Sequence, residues 1–129
     1  MQKYEQPIQR AAESLYGDER LRSNLTDSEA KIILDWAVSW VAGQVGAAGD
    51  EASAKEIAQT ELGRVRQIAS ALNKLAAKNA TPRLEDAIAA INTGTPTSAP
   101  LTREQVLSLA TLFATAMWKI RGQSPARKL

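Results

Sequence analysis

The sequence predicts an all-α protein, built as a single-domain bundle of about five helices. Alanine occurs 23 times in 129 residues, and it enters a helix without losing side-chain entropy. Large apolar residues recur every three or four positions, as on one face of a helix, and no turn dipeptide separates alternating apolar runs. A chain of this length buries one core without disulfides or metal. We expect a helical domain over residues 1–122 and a flexible basic tail over residues 123–129.

The amino-terminal part is predicted to hold two helices separated by a short helical turn. The first helix covers about residues 4–16 and the turn about residues 18–23, because a glycine stands between them. Thr26 and Glu29 have the spacing of a capping box, in which each side chain bonds the backbone amide of the other. The helix that starts there runs to about Val45. It is apolar over most of its circumference, which predicts a central position in the bundle.

A longer helix is predicted from Asp50 or Ala52 to about Asn79. Its apolar seam advances by alternating steps of four and three residues: Ala58, Leu62, Val65, Ala69, Leu72 and Ala76. This heptad-like spacing is typical of helices that pack nearly antiparallel in a bundle. The sequence leaves open whether the helix bends at Gly63.

A short helix and a linker follow. Thr81 is the predicted cap and Pro82 the first helical residue, where a missing amide hydrogen costs nothing. The helix is expected to reach about Asn92. Residues 93–100 contain glycine, proline and hydroxyl residues without a large apolar group, which is typical of a linker.

The last helix is predicted to begin at a second capping box, formed by Thr102 and Gln105, and to end at Gly122. Its spacing assigns one set of residues to the core: Val106, Leu109, Ala110, Phe113, Ala116 or Met117, and Ile120.

Trp118 falls off this inner line, and Lys119 and Arg121 follow it. An exposed tryptophan among basic residues is typical of an anchor for a partner protein, and packing against a neighbouring helix is the alternative. We predict Trp118, Lys119 and Arg121 as partner-binding residues.

The chain has no histidine and no cysteine, which excludes most of the chemistry that a small enzyme uses. Ser70 and Lys74 are four residues apart, the one remaining arrangement for a serine nucleophile, but chance produces such a pair in a helical protein. Asp35 falls on a polar strip beside Lys31, where a solvated or paired carboxylate is expected. Residues 92–98 match no phosphate-binding loop. We therefore expect no enzyme, no cofactor and no metal site.

Charge is unevenly distributed along the chain. Residues 1–61 carry 6 Lys/Arg and 11 Asp/Glu, a net charge of −5, whereas residues 62–129 carry 10 and 3, a net charge of +7. The basic part suggests an alternative function, nucleic-acid binding through a basic helix face: Arg64, Arg66, Lys74, Lys78 and Arg83. A solvated face without a ligand explains the same pattern.

The first seven residues lack the apolar stretch of a signal peptide, and the two strongest apolar runs, residues 36–49 and 105–118, are too short to span a bilayer. These observations, with the absence of cysteine, predict a soluble cytoplasmic protein that does not enter a membrane.

One segment resembles a known group of proteins. Residues 25–30 (LTDSEA), followed by residues 34–37 (LDWA), are similar to the opening of small all-helical proteins of unknown function that are common in cyanobacteria. The resemblance implies a small intracellular helical protein and brings no catalytic or binding residues with it.

Taken together, these patterns predict a non-enzymatic protein that binds another protein or itself, such as an adaptor or a regulatory subunit. The alternatives are a nucleic-acid-binding protein that uses the basic face and a carrier of a small ligand between its helices.

Overall fold

The computed structural model describes residues 4–97 and 100–122, and these residues form five α-helices. They are α1 Glu5–Tyr16, α2 Asp27–Val45, α3 Glu51–Lys78, α4 Leu84–Gly94 and α5 Arg103–Arg121. One turn of 3-10 helix, Glu19–Leu21, connects α1 to α2, and no strand occurs in this part of the chain. The predicted all-α class is confirmed, and the predicted tail at 123–129 lies outside the described residues.

Both predicted capping boxes are present. The Thr26 amide donates to Glu29 Oε1 at 2.9 Å, and the Glu29 amide donates to Thr26 Oγ1 at 3.3 Å. Thr102 and Gln105 make the same reciprocal pair at 2.8 and 3.1 Å. These capping residues fix where α2 and α5 begin, because they bond backbone amides that the helix itself leaves without a partner.

The start of α4 differs from the prediction. The helix begins two residues later than expected, so Pro82 precedes it and lies buried, and the predicted cap Thr81 forms a turn whose amide donates to Asn79 Oδ1 at 3.2 Å. The first cap bond of α4 runs instead from the Arg83 amide to Asp86 Oδ2, at 3.0 Å. An aspartate in the first turn has replaced the threonine as the capping group.

α2 and α3 share the centre of the bundle, since α1 packs against both, α5 packs against α2, and α4 lies across α3 and α5. The predicted seam of α3 is buried except for Leu62, which is half-buried. The central position is therefore not held by α2 alone, as predicted, because α3 contacts α1 and α4 as well as α2.

The inner face of α5 agrees with the prediction at Val106, Leu109, Ala110, Phe113 and Met117, all of which are buried. Ile120 is an error of the prediction, because its side chain is 38% exposed. Ile120 lines an open cavity together with residues 23–26, which precede α2, and with Glu29. Helical spacing correctly gives the side of α5 but not the point at which its neighbours end.

Candidate functional site

The exposed apolar surface of the protein is concentrated on α5. Among the described residues, six large hydrophobic side chains are exposed, and four of them belong to this helix: Leu107, Leu112, Trp118 and Ile120. Trp118 is the most exposed of the six, at 67%. Single exposed apolar residues are common on soluble proteins, so only those that share one side of the helix indicate a contact surface.

Helix geometry places Leu107 and Trp118 on the same side of α5. They are eleven residues apart, and at about 100° per residue their directions differ by only about 20°. Exposed Thr111 and half-buried Ala114 lie between them along the same stripe. We call Leu107, Thr111, Ala114 and Trp118 the α5 patch. Leu112, at about 140° from Leu107, lies outside it.

Lys119 is exposed beside Trp118, as the sequence predicts, and adds a positive charge to the edge of the α5 patch. The structure brings these two predicted residues together at the surface, but it separates them from the third.

Arg121 points into the protein and joins three elements. Its Nε donates to Glu29 Oε2 at 2.7 Å and its Nη2 donates to Glu29 Oε1 at 3.1 Å, a bidentate ion pair. Its other bonds go to the backbone oxygens of Ala76, Ala80 and Asn24, at 3.1, 3.3 and 2.9 Å. We call this arrangement the Glu29–Arg121 clamp. Arg121 is thus engaged within the fold and is not part of the exposed surface next to Trp118.

The carboxyl group of the clamp is almost inaccessible, since the Glu29 side chain is only 1% exposed. Burial alone would raise its pKa, but hydrogen bonds from Arg121 and from Thr26 outweigh that effect and lower the pKa of Glu29. The ionised pair ties the end of α5 to the start of α2 and the end of α3. Trp118, one turn before Arg121, therefore stands on a fixed stretch of backbone.

The other two tryptophans belong to the packing of the bundle. Trp40 Nε1 donates to Glu61 Oε1 at 2.6 Å, and the guanidinium carbon of Arg64 lies 5.1 Å from the Trp40 ring centre. Arg64 also donates to Glu61 at 3.2 Å and to the Pro100 backbone oxygen at 2.7 Å. Trp36 lies 6.0 Å from Trp40, ring centre to ring centre. This cluster fastens α2 to α3 and to the segment before α5.

The five basic residues of the alternative prediction do not form one surface. Arg64 is held in the Trp40 cluster, with a side chain only 12% exposed. Arg66 donates to a serine of α1 and is ion-paired with Asp18, and Arg83 is exposed and paired with its neighbour Glu85. Lys74 and Lys78 are exposed on α3, beside α4. Of the five residues, only Lys74 and Lys78 lie next to each other as exposed positive charges on one helix face.

Asp35 is a paired surface carboxylate, as expected. It forms an ion pair with Lys31 at 2.8 Å and accepts a hydrogen bond from the Tyr16 hydroxyl. The bond from Lys31, followed by that from Tyr16, lowers the pKa of Asp35. Burial, with a smaller contribution from Asp35, raises the pKa of the Tyr16 phenol to about 12.

Within residues 4–97 and 100–122, no three carboxylates lie close enough together to hold a metal ion. None of the helices over the same residues combines the length and the hydrophobicity that crossing a membrane requires.

Comparisons with protein-family models, with curated proteins and with solved structures find no match to this chain. The resemblance to small cyanobacterial helical proteins therefore stays a prediction.

Proposed function

We propose that the protein acts without catalysis, as an adaptor or subunit that binds another protein through the α5 patch. The observation that carries the proposal is the 67% exposure of Trp118 on a helix whose end is anchored by the Glu29–Arg121 clamp. A tryptophan left outside the core does little for folding, whereas at an interface it is among the residues that contribute most to affinity.

The α5 patch has the features of an interface centre. A partner that covers Trp118 would bury roughly 150–250 Å² of this side chain, and Leu107 lies on the same side of the helix. Because α5 is already ordered by its packing against α2 and α4, binding does not have to pay for folding a loop.

The charge beside the patch defines the partner further. Lys119 is exposed next to Trp118, so a partner that presents an apolar side chain with a nearby carboxylate is complementary to this surface. A basic group placed directly opposite Lys119 would be repelled. We therefore propose an acidic-rimmed apolar surface, on another protein or on a second copy of this chain.

Light scattering after size-exclusion chromatography separates these two cases. A mass that rises from one chain to two as concentration increases identifies a second copy, and the variant Trp118→Ala should then remain a monomer. A mass of one chain throughout identifies a different protein as the partner.

In that second case, a photo-crosslinking residue placed at Thr111 captures the partner from cell extract, and mass spectrometry identifies it. Purified partner should bind Trp118→Ala and Leu107→Ala about tenfold or more weakly than wild type, a loss typical of interface anchors. Leu112→Ala is the matched control, since Leu112 is exposed to a similar degree, 44% against 46% for Leu107, on another side of α5. Equal losses in all three variants would remove the α5 patch as the contact surface.

Nucleic-acid binding, the alternative hypothesis, has less support because its five basic residues are divided among separate surroundings. Heparin retention that is lost in Lys74→Glu and Lys78→Glu, but kept in Trp118→Ala, would favour it over the proposal.

A further inference from the structure

A cleft of about 630 Å³ opens between α3, the 3-10 turn and the carboxyl end of α4. Its volume lies within the range of small-molecule sites in proteins, which is roughly 300–1,000 Å³. The cleft shares no residue with the α5 patch, so its chemistry is independent of the proposed protein contact.

The wall of the cleft is positively charged. Arg20, Arg66 and Lys74 line it, with Asp18 as the one acidic residue of the wall; three cations and one carboxylate leave a net charge of +2. Lys74 is exposed, and the side chain of Arg20 is 84% exposed, so both are accessible to a ligand. Such a local excess of positive charge attracts an anion, in particular one that carries two negative charges.

Asp18 orients the two guanidinium groups. It accepts hydrogen bonds from Arg20 Nε at 3.2 Å and Arg20 Nη2 at 3.3 Å, and its Oδ2 lies 3.3 Å from Arg66 Nε. The bond from Arg20 is the main cause of a lowered pKa of Asp18, which keeps the carboxylate ionised. Arg66 is further fixed by a 2.6 Å bond from Nη2 to Ser14 Oγ. The side chain of Arg20, which is 84% exposed, keeps N–H donors accessible to a ligand, whereas Arg66 Nε is buried.

Gly63 lines the cleft on α3. Apart from its own stretch of helix, no atom lies within 4 Å of the place where its side chain would begin. Since it adds no side chain to the wall, the cleft reaches the helix backbone at this position.

Gly94, at the other side of the cleft, is a glycine that close packing requires. A Cβ there would lie 2.8 Å from the Gln67 backbone oxygen and 3.0 Å from Ala71 Cβ. The close contact brings the end of α4 onto α3 and so closes one side of the cleft. The two glycines therefore have different roles, one in building the cleft and one in keeping it open.

We propose that this cleft binds a small organic anion that bears a phosphate group. A phosphate monoester carries about −1.5 to −2 charges near neutral pH, which matches the net charge of the wall. Guanidinium groups recognise phosphate through paired N–H donors, and Lys74 adds a mobile point charge. The half-buried hydroxyl of Ser70 lies on the same wall as a further donor.

Isothermal titration calorimetry with inorganic pyrophosphate tests the proposal. We expect saturable binding at one site, weakened about tenfold in Lys74→Ala and in Arg20→Ala, since each removes one charge-assisted contact. Lys78→Ala is the matched control, because Lys78 lies one turn further along α3 and does not line the cleft. Its affinity should equal that of wild type.

Substitutions of Gly63 give a second readout. Gly63→Ala should raise the melting temperature of the free protein by about 2–5 °C, because it removes the helix penalty of glycine without a clash. Gly63→Leu should keep the helix and abolish pyrophosphate binding by filling the cleft. Retention of wild-type affinity in Gly63→Leu would overturn the assigned site.

Two other outcomes also overturn the proposal. The first is no heat and no thermal stabilisation with pyrophosphate up to about 10 mM, the weak end of measurable affinity. The second is tighter binding of a short DNA duplex than of pyrophosphate with equal losses in Lys74→Ala and Lys78→Ala, which would assign both lysines to a nucleic-acid surface. Neither outcome bears on the α5 patch, whose test uses Trp118 and Leu107.

Discussion

Trp118 and Arg121 lie within one turn of α5 but have opposite surroundings. The tryptophan, a largely apolar side chain, is 67% exposed, while the arginine is only 18% exposed and bonded to a carboxylate and three backbone oxygens. The charged side chain of Arg121 is therefore largely buried because it is paired, whereas the aromatic ring of Trp118 lies outside the core. The inner side of the last turn holds the fold together, and its outer side is free for a partner.

The largest effect on stability is expected from removing the side chain of Arg121, on the inner side of this turn. Arg121→Ala leaves the Glu29 carboxylate buried without its partner, and breaking a buried ion pair in this way typically costs about 3–5 kcal/mol. We expect the free energy of unfolding, measured by urea denaturation, to fall by that amount.

Lys119→Ala is the control for this variant, because it removes a positive charge two residues away at the exposed surface. Its effect should stay within about 0.5 kcal/mol. Similar losses in both variants would mean that the two sides of the turn do not differ as described.

A comparison of two tryptophans gives the next largest effect. Trp40 is half-buried and bonded to Glu61, so Trp40→Ala should lower the free energy of unfolding by about 3 kcal/mol, the lower end of values for tryptophan. Trp118→Ala should lower it by no more than about 0.5 kcal/mol. Urea denaturation of the two variants under one set of conditions measures the difference, and equal losses would contradict a free Trp118.

The clamp should also make stability depend on pH. The pKa of Glu29 in the folded protein lies below its ordinary value of 4.5, so the stabilisation is complete above that value and is lost as the pH falls through the folded pKa. Glu29→Gln should be less stable than wild type at pH 7, and the gap should narrow as the pH is lowered. Unfolding curves measured between about pH 3 and pH 7 would show a constant gap if Glu29 were not the titrating group.

Local signals predicted much of the fold. The capping boxes at Thr26 and Thr102 and the seam of α3 involve residues within a few positions of each other, and each follows from helix geometry alone. The exposure of Trp118 was also open to prediction, because it falls off the inner line of α5.

Contacts between distant parts of the chain account for what the sequence did not predict. Glu29 and Arg121 are 92 positions apart, and no spacing rule connects a first-turn glutamate with the last arginine of another helix. The sequence pattern places Arg64 on a basic face, but two of the groups that hold it, the Trp40 ring and the Pro100 backbone oxygen, belong to other segments of the chain. A local pattern gives the side of a helix on which a residue lies, and the neighbouring helix decides what it meets there.

The smallest effect concerns the exposed tryptophan itself. A fluorescence quencher such as acrylamide reaches exposed indole rings more readily than half-buried ones, so Trp118→Phe should lower the quenching constant more than Trp36→Phe does. The emission maximum of Trp118→Phe should also lie at a shorter wavelength than that of wild type, because the most hydrated indole ring is lost. If a partner covers the α5 patch, its addition to wild-type protein should reduce quenching in the same way and leave Trp118→Phe unchanged. Undiminished quenching in the bound state would place the contact elsewhere on the bundle, even with Trp118 exposed in the free protein.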